Sequence, residues 1–321
     1  MRKGIAILLI VAASLVLLGV LVFTVGIVAM DDPNVSPLFE GKYQSKTYEG
    51  EDKITSIIIN TDTTDILFRP YSKDGYKVEC FEEINLSHTV TVKNGVLSIN
   101  LNDNREWYDH ISIFSRDTQI TVYLPAGEYA SLSVKTDTAD TTVPKNFTFD
   151  TAAITCTTGD VEFCASTKTS LNIKASTGDI DVEDSGHGDF NLTVSTGEIE
   201  IGNVNCNNAT IRVSTGKTEI DGMACTSFTS TGNTGDLFMT NLISAGSIKI
   251  TRSTGDVIFN RCDASELEIN TDTGDVMGTL LSAKIFVHRT STGDVKLPET
   301  TTGGKCKITT NTGDIKISIA Q

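Results

Sequence analysis

The sequence predicts an all-β protein built as a single-chain parallel β-solenoid, or β-helix, of 19–20-residue coils, preceded by one N-terminal transmembrane helix. Three observations carry this reading. Glycine recurs at Gly159, Gly178, Gly197, Gly216, Gly235, Gly255, Gly274, Gly293 and Gly313, always 19 or 20 residues apart, and a fixed period of that size marks stacked repeats. The same phrase surrounds these glycines, as in Ser176-Thr177-Gly178-Asp179-Ile180 and Ser253-Thr254-Gly255-Asp256-Val257. Near the N-terminus an uncharged stretch runs from Gly4 to Met30, longer than a signal-peptide core and long enough to cross a bilayer.

The membrane segment takes residues 1–30, with 5–30 in the membrane. Arg2 and Lys3 precede it and Asp31-Asp32 follow it, which orients the N-terminus towards the cytoplasm. A retained single-pass anchor with an extracytoplasmic C-terminal domain is expected; a long, cleaved signal peptide is the alternative, and either exports the chain from Asp31 onward. Residues 31–46, with Pro33, Pro37 and Gly41, read as a linker.

The β-domain spans 47–321. Over 47–130 the pattern is irregular and is expected to cap the stack. Strands are predicted over 54–60, 76–81, 89–92, 97–101 and 120–124, with a tight hairpin turn at Lys93-Asn94-Gly95-Val96 and a polar loop over 102–110. Thr61-Asp62-Thr63-Thr64-Asp65-Ile66 and Thr138-Ala139-Asp140 are degraded copies of the repeat, as terminal coils often are.

Regular coils fill 131–321. With the glycine as position 0, position +2 is apolar in eight of nine coils, from Val161 to Ile315, with Thr218 the exception. Positions −7, −5 and −3 read Leu171, Ile173, Ala175, then Phe190, Leu192, Val194. That alternation marks half-buried strands. Position +7, with Val204, Met223, Leu242, Cys262 and Leu281, marks another inward face. One interior column is therefore predicted to stack Leu171, Phe190, Phe228, Ile248 and Leu267. The extra residue of the 20-residue step from Gly235 to Gly255 falls in the turn between Leu242 and Ile248. Two residues break the pattern, Arg252 at −3 and His288 at −5; either the register slips there or those slots open to solvent.

The chain resembles the DUF4097 family of bacterial proteins taken as adhesins. The resemblance rests on the strand Ile57-Ile58-Ile59-Asn60 with its Thr-Asp-Thr-Thr-Asp-Ile continuation, on Ile120-Thr121-Val122-Tyr123-Leu124-Pro125, and on the following Ser/Thr-Thr-Gly-Asp coils. It covers residues 47–321. It implies a β-helix on the bacterial surface, in a family often encoded beside envelope-stress regulators and without defined catalytic residues. No catalytic, cofactor or metal residue is carried over.

The residues themselves suggest few sites. Position +1 is acidic in Asp160, Asp179, Glu198, Asp236, Asp256, Asp275, Asp294 and Asp314, with Lys217 the exception. Strands about 4.8 Å apart turn these into a like-charge ladder, which needs solvent, turn amides or bridging cations. An Asx-type turn explains the recurrence. Ca²⁺ is the other reading, but the Gly-Gly-x-Gly-x-Asp calcium-roll motif is missing. The seven cysteines form no Cys-x-x-Cys pair, which disfavours zinc. Cys206 and Cys225 share slot +9 one coil apart and stand within disulfide reach. His88, His110, His187 and His288 share no slot and read as loop or surface residues. Setting aside the two positive charges of Arg2 and Lys3 takes the net charge from −15 to −17, which argues against a nucleic-acid partner.

Two functions remain. One is a non-enzymatic binding, adhesion or envelope-sensing protein at the bacterial cell membrane, with a surface glycan or protein as ligand. The other is a carbohydrate-active β-helix enzyme, which short repeated turns leave little room for. The chain stops one strand after Gly313, so the coil at 315–321 is expected to form an open end where a partner or second copy docks.

Overall fold

A computed structural model describes residues 14–22, 24–25, 43–105 and 117–320. Most of the expected anchor and linker lies outside these residues. Residues 14–22 are helical, and among the described residues no helix is long and apolar enough to cross a membrane. The linker ends earlier than expected, because Tyr43–Gly50 is already a strand, antiparallel to Tyr76–Glu83. Tyr43 stacks on Phe81 at 5.6 Å and Lys46 reaches Glu82 at 3.2 Å, contacts that hold this segment to the domain.

The rest is a parallel β-solenoid. One sheet climbs through Gly127–Thr138, Phe147–Thr158, Ser166–Thr177 and Asp189–Thr196. The facing sheet climbs through Thr141–Val143, Val161–Phe163 and Ile180–Glu183. From Ile199 onward single bent strands run through both sheets, as in Ile199–Thr215 and Thr218–Thr234. The predicted column is present in register: Leu171, Phe190, Ala209, Phe228, Ile248 and Leu267 stack in consecutive coils and are buried. The extra residue before Gly255 falls between Ser244 and Ile248, inside the turn expected. Slot +7 fails once: Leu281 is exposed and Leu280 buried. Cys262 pairs with Leu280 across a bulge, so that coil closes one residue sooner.

Spatial order departs from chain order at both ends. The coil carrying Gly313 does not end the stack. Its strand Gly304–Thr312 lies between Val257–Thr273 and Lys284–Arg289, and Ile315–Ile319 lies between Val276–Leu280 and Val295–Lys296. The open end is therefore the preceding coil, 284–296. At the other end Ser56–Asn60 is tucked between Gly127–Thr138 and Val96–Asp103, and Asp65–Tyr71 between Thr141–Val143 and Gln119–Pro125. Antiparallel strands Leu86–Lys93, Tyr76–Glu83 and Tyr43–Gly50 then cover that end. Asn94 and Gly95 take the positive φ of the predicted hairpin turn. Ser56–Asn60 and Asp65–Tyr71 at one end, and Gly304–Thr312 and Ile315–Ile319 at the other, are thus locked inside the stack, where each pairs on two sides.

Two corners repeat. At Gly178 φ is +125°, and an added Cβ would lie 2.1 Å from the Gly159 carbonyl oxygen. Glycine is required twice over, for conformation and for closeness. The second corner lies six residues on, where Asp184, Asn203, Gly222, Asn241 and Arg261 all have positive φ. Asp, Asn and Gly suit that region and Arg does not. Arg261→Asn is expected to stabilise the protein by roughly 0.5–1 kcal/mol, read as a raised urea midpoint at constant slope.

The two misfits have different explanations. His288 occupies its predicted slot beside Ile308 and is exposed because its coil is the last in space. Arg252 also keeps register, between Gly232 and Thr271, but is only 2% exposed. It lies in the solenoid interior, so neither a slip nor an opening to solvent occurs there.

Candidate binding surfaces

The acidic corner ladder is a backbone-satisfying device. Asp179 N–H donates to Asp160 Oδ1 at 2.8 Å, Glu198 N–H to Asp179 Oδ1 at 2.7 Å, and Asp256 N–H to Asp236 Oδ1 at 2.8 Å. Each carboxylate thus serves the neighbouring coil's amide rather than closing a turn of its own. Such charge-assisted bonds are shorter and stronger than neutral ones. The degraded copies join in, Asp140 N–H donating to Asp65 and Asp160 N–H to Asp140. The last two rungs, Asp275 to Asp314 to Asp294, follow the spatial order of the coils. Lys217 interrupts the series, pairing with Glu219 and lying 5.4 Å from the Phe238 ring centroid.

A second acidic column stacks Glu162, Asp181, Glu200 and Glu219 on the facing sheet. Burial, then the charges of Glu183, Glu200 and Glu162, pushes the Asp181 carboxyl up to about 6.

Two histidines expected at the surface are buried. His88 Nδ1 lies 3.0 Å from Glu82 Oε2, and its Nε2 lies 2.8 Å from Thr61 Oγ1. Glu82 also accepts from the His88 backbone N–H and pairs with Lys46. Hydroxyl, imidazole and carboxylate stand in the order of an acyl-transfer triad, but Glu82 and His88 are at most 1% exposed. The cluster ties four segments of the N-terminal cap together, with its imidazole and carboxylate buried. Its sequence signal was obscure, because Thr61, Glu82 and His88 meet only through the inserted strand and the antiparallel cap.

His187 continues an aromatic column, 6.1 Å from Phe163 and 5.1 Å from Phe190 between ring centroids. Thr167 and Ser185 hydroxyls lie 3.0 and 2.9 Å from its two nitrogens. Burial pushes the imidazole down to about 4. Unfolded, it titrates near 6.5. The unfolded chain then binds the extra proton first, so stability is fully present above pH 6.5 and is lost as pH falls towards 4. The expected loss is about 3 kcal/mol across that window. Melting between pH 7 and 4 checks this, with His187→Gln flattening the profile.

Cys206 and Cys225 face each other in register, as expected, and are free thiols. The two thiols perturb each other in opposite directions: the proximity of Cys225 pushes the Cys206 thiol up, and that of Cys206 holds the Cys225 thiol below its usual range.

On the outer face near the open end, a groove of about 280 Å³ is lined by residues that include Lys249, Glu266, Glu268, Lys305 and Lys307. Glu268 stands between two lysines, 2.9 Å from Lys307 and 3.8 Å from Lys249. Beyond Lys305 and Lys307 the register brings Ile285 and Val287, 47% and 48% exposed. This is a cationic and apolar patch on an acidic protein.

The fold has solved counterparts. The crystal structure of a candidate adhesin from Parabacteroides distasonis ATCC 8503 is similar at a TM-score of 0.54 and 15% identity, over 75% of this chain and 98% of that one. A candidate adhesin from Bacteroides fragilis NCTC 9343 aligns at a TM-score of 0.46 and 12% identity, over 87% and 99%. A candidate lipid binding protein, also from Parabacteroides distasonis, aligns at 0.45 and 17%, over 74% and 95%. No curated protein matches the chain. The Toastrack DUF4097 family model matches residues 54–226 and again 164–321, which together take in the whole solenoid, and the chain belongs to that family.

Proposed function

We propose that the protein is a membrane-anchored, extracytoplasmic binding scaffold of a bacterial cell, acting in adhesion or envelope sensing without catalysing a reaction. The observation that carries this is the division of its polar groups. The hydroxyl–imidazole–carboxylate cluster is sealed in the N-terminal cap, whereas exposed groups form repeating ladders and a groove lined by three lysines and two glutamates. A groove crossed by a Lys–Glu–Lys ladder suits the hydroxyls and acidic groups of a surface glycan or an acidic protein segment. The adhesin description of a structure with the same fold agrees with this reading. The uncharged stretch from Gly4 to Met30 supplies the anchor.

A glycan array probed with the full-length chain in detergent tests it, alongside an assay for new reducing ends. Retention that is lost in Lys305→Glu/Lys307→Glu, with no reducing ends released, is expected. Release of reducing ends would establish the carbohydrate-active enzyme instead.

A second copy is the partner proposed for the open end. Among the described residues no strand pairs on the outer side of Lys284–Arg289, and such an edge invites another strand. Substitutions at Ile317 or Ile319 would strike a coil paired on both sides, so the edge is tested at Ile285→Lys and Val287→Lys. Sedimentation should show self-association of the parent chain that those changes abolish. A parent chain monomeric at high concentration rules the edge out.

A further inference from the structure

Five interior slots in four neighbouring coils depart from the aliphatic code of the solenoid: Thr218, Ser230, Gly232, Arg252 and Thr271, of which all but Gly232 are buried polar residues. They converge on one side chain. Arg252 Nη2 donates to Ser230 Oγ at 2.9 Å and reaches Thr218 Oγ1 at 3.4 Å. Its Nε and Nη1 have no acceptor among the described residues, and the buried Thr271 hydroxyl beside it in register has no partner there either. Gly232, on the other neighbouring coil, is what admits the guanidinium: an added Cβ would lie 1.7 Å from Nη1. No carboxylate forms an ion pair with Arg252 among the described residues, although Asp236 is near enough to be felt.

A guanidinium in a low-dielectric interior carries a large desolvation penalty unless it is paired. Neutral hydroxyls satisfy donors without cancelling charge. Deprotonation is no escape, because burial brings this group down only to about 10 and it stays cationic at neutral pH. What the site lacks is a compact negative charge that accepts from guanidinium and hydroxyl donors and needs no further hydration. Phosphates and sulfate call for more donors than one arginine and three hydroxyls offer.

We infer that the solenoid interior holds a buried halide ion, chloride under ordinary conditions, bound to the unpartnered Arg252 Nε–H and Nη1–H donors and to the Thr271 hydroxyl. The ion would be a structural ligand that fixes the coils around Gly235, Gly255 and Gly274. Its burial makes exchange slow and ties it to folding rather than to signalling.

The experiment uses the full-length chain, crystallised from chloride and separately from bromide. Data collected near the bromine edge, and at long wavelength for chloride, distinguish a halide from water. An anomalous peak within hydrogen-bond distance of Arg252 is expected in one or both crystals. Density at Arg252 with no anomalous signal in either crystal, or a protein acceptor turned in to meet Nε and Nη1, overturns the inference. In solution the chain should melt several degrees higher in chloride than in gluconate at equal ionic strength, with the shift saturating. Thr271→Val should weaken that difference and Arg252→Met should remove it. Equal melting of the parent chain in both salts counts against a bound ion even if Arg252→Met fails to fold.

Discussion

Replacing Leu267 with aspartate is expected to destabilise the solenoid by roughly 4–5 kcal/mol or more, the range reached when a core position receives an unpaired charge. Leu267 is 3% exposed and stacks between Ile248 and Cys306. Two buried cations are in the region: Arg252 lies on the adjacent coil beside Thr271, four residues further along the strand and therefore about 13 Å away, and Lys284 is already paired with Asp263 at 2.6 Å. Neither is free to pair with the new carboxylate. The damage should be directional, because a solenoid transmits stability through nearest-neighbour coils. The inserted strand Gly304–Thr312 docks directly on the Leu267 strand, and Lys284–Arg289 depends on it in turn. Hydrogen exchange should show residues 284–319 losing protection before 147–196. Glu268→Gln, at the neighbouring outward position, should change stability by about 1 kcal/mol at most, since exposed ion pairs contribute little. A Leu267→Asp chain that melts like the parent would mean that the column is not interior.

The column itself was legible because solenoid geometry repeats. Once the glycine phase was set, period-two alternation assigned Leu171, Phe190, Phe228, Ile248 and Leu267 to one face without further information. The degraded copies at Thr64 and Ala139 were legible for the same reason, and Asp65 and Asp140 take their places in the corner ladder. Coil order was not legible. A strand at 304–312 has the same inward pattern whether it ends the stack or slips in beside Leu267; what selects its place is pairing on both edges, a long-range property. The surface assignment of His88 and His187 failed for a related reason. Isolated polar residues carry no period, and their partners Glu82, Thr61, Thr167 and Ser185 meet them only through tertiary packing. Arg252 was visible as a misfit, but the sequence offered only slip or exposure. Its burial depends on Gly232, a glycine twenty residues away, leaving room for it.

Gly255→Ala is expected to cost about 3 kcal/mol, and the corner explains why one methyl group matters so much. Gly255 has φ of +134°, a conformation that strains any L side chain. Its added Cβ would lie 2.2 Å from the Gly235 carbonyl oxygen and 2.6 Å from that carbon. Both are backbone atoms of the neighbouring corner, so neither moves without breaking the ladder in which Gly235 N–H donates to Thr254 and Gly255 N–H to Thr273. Alanine is not excluded from the slot as such. Ala139 occupies it one coil before Gly159, its φ is not positive, and its N–H still donates to the Thr158 carbonyl as the glycines do in the regular coils. The penalty therefore belongs to the backbone conformation of the regular coils. Gly202→Ala is the matched comparison. There φ is ordinary, and the nearest atom to an added Cβ is the flexible Glu183 Cγ at 3.4 Å, so the change should be neutral or raise stability by about 0.5 kcal/mol through the unfolded chain. Urea unfolding of the two variants side by side decides the point. If Gly255→Ala is as mild as Gly202→Ala, the nine-fold glycine is not what brings successive corners into contact.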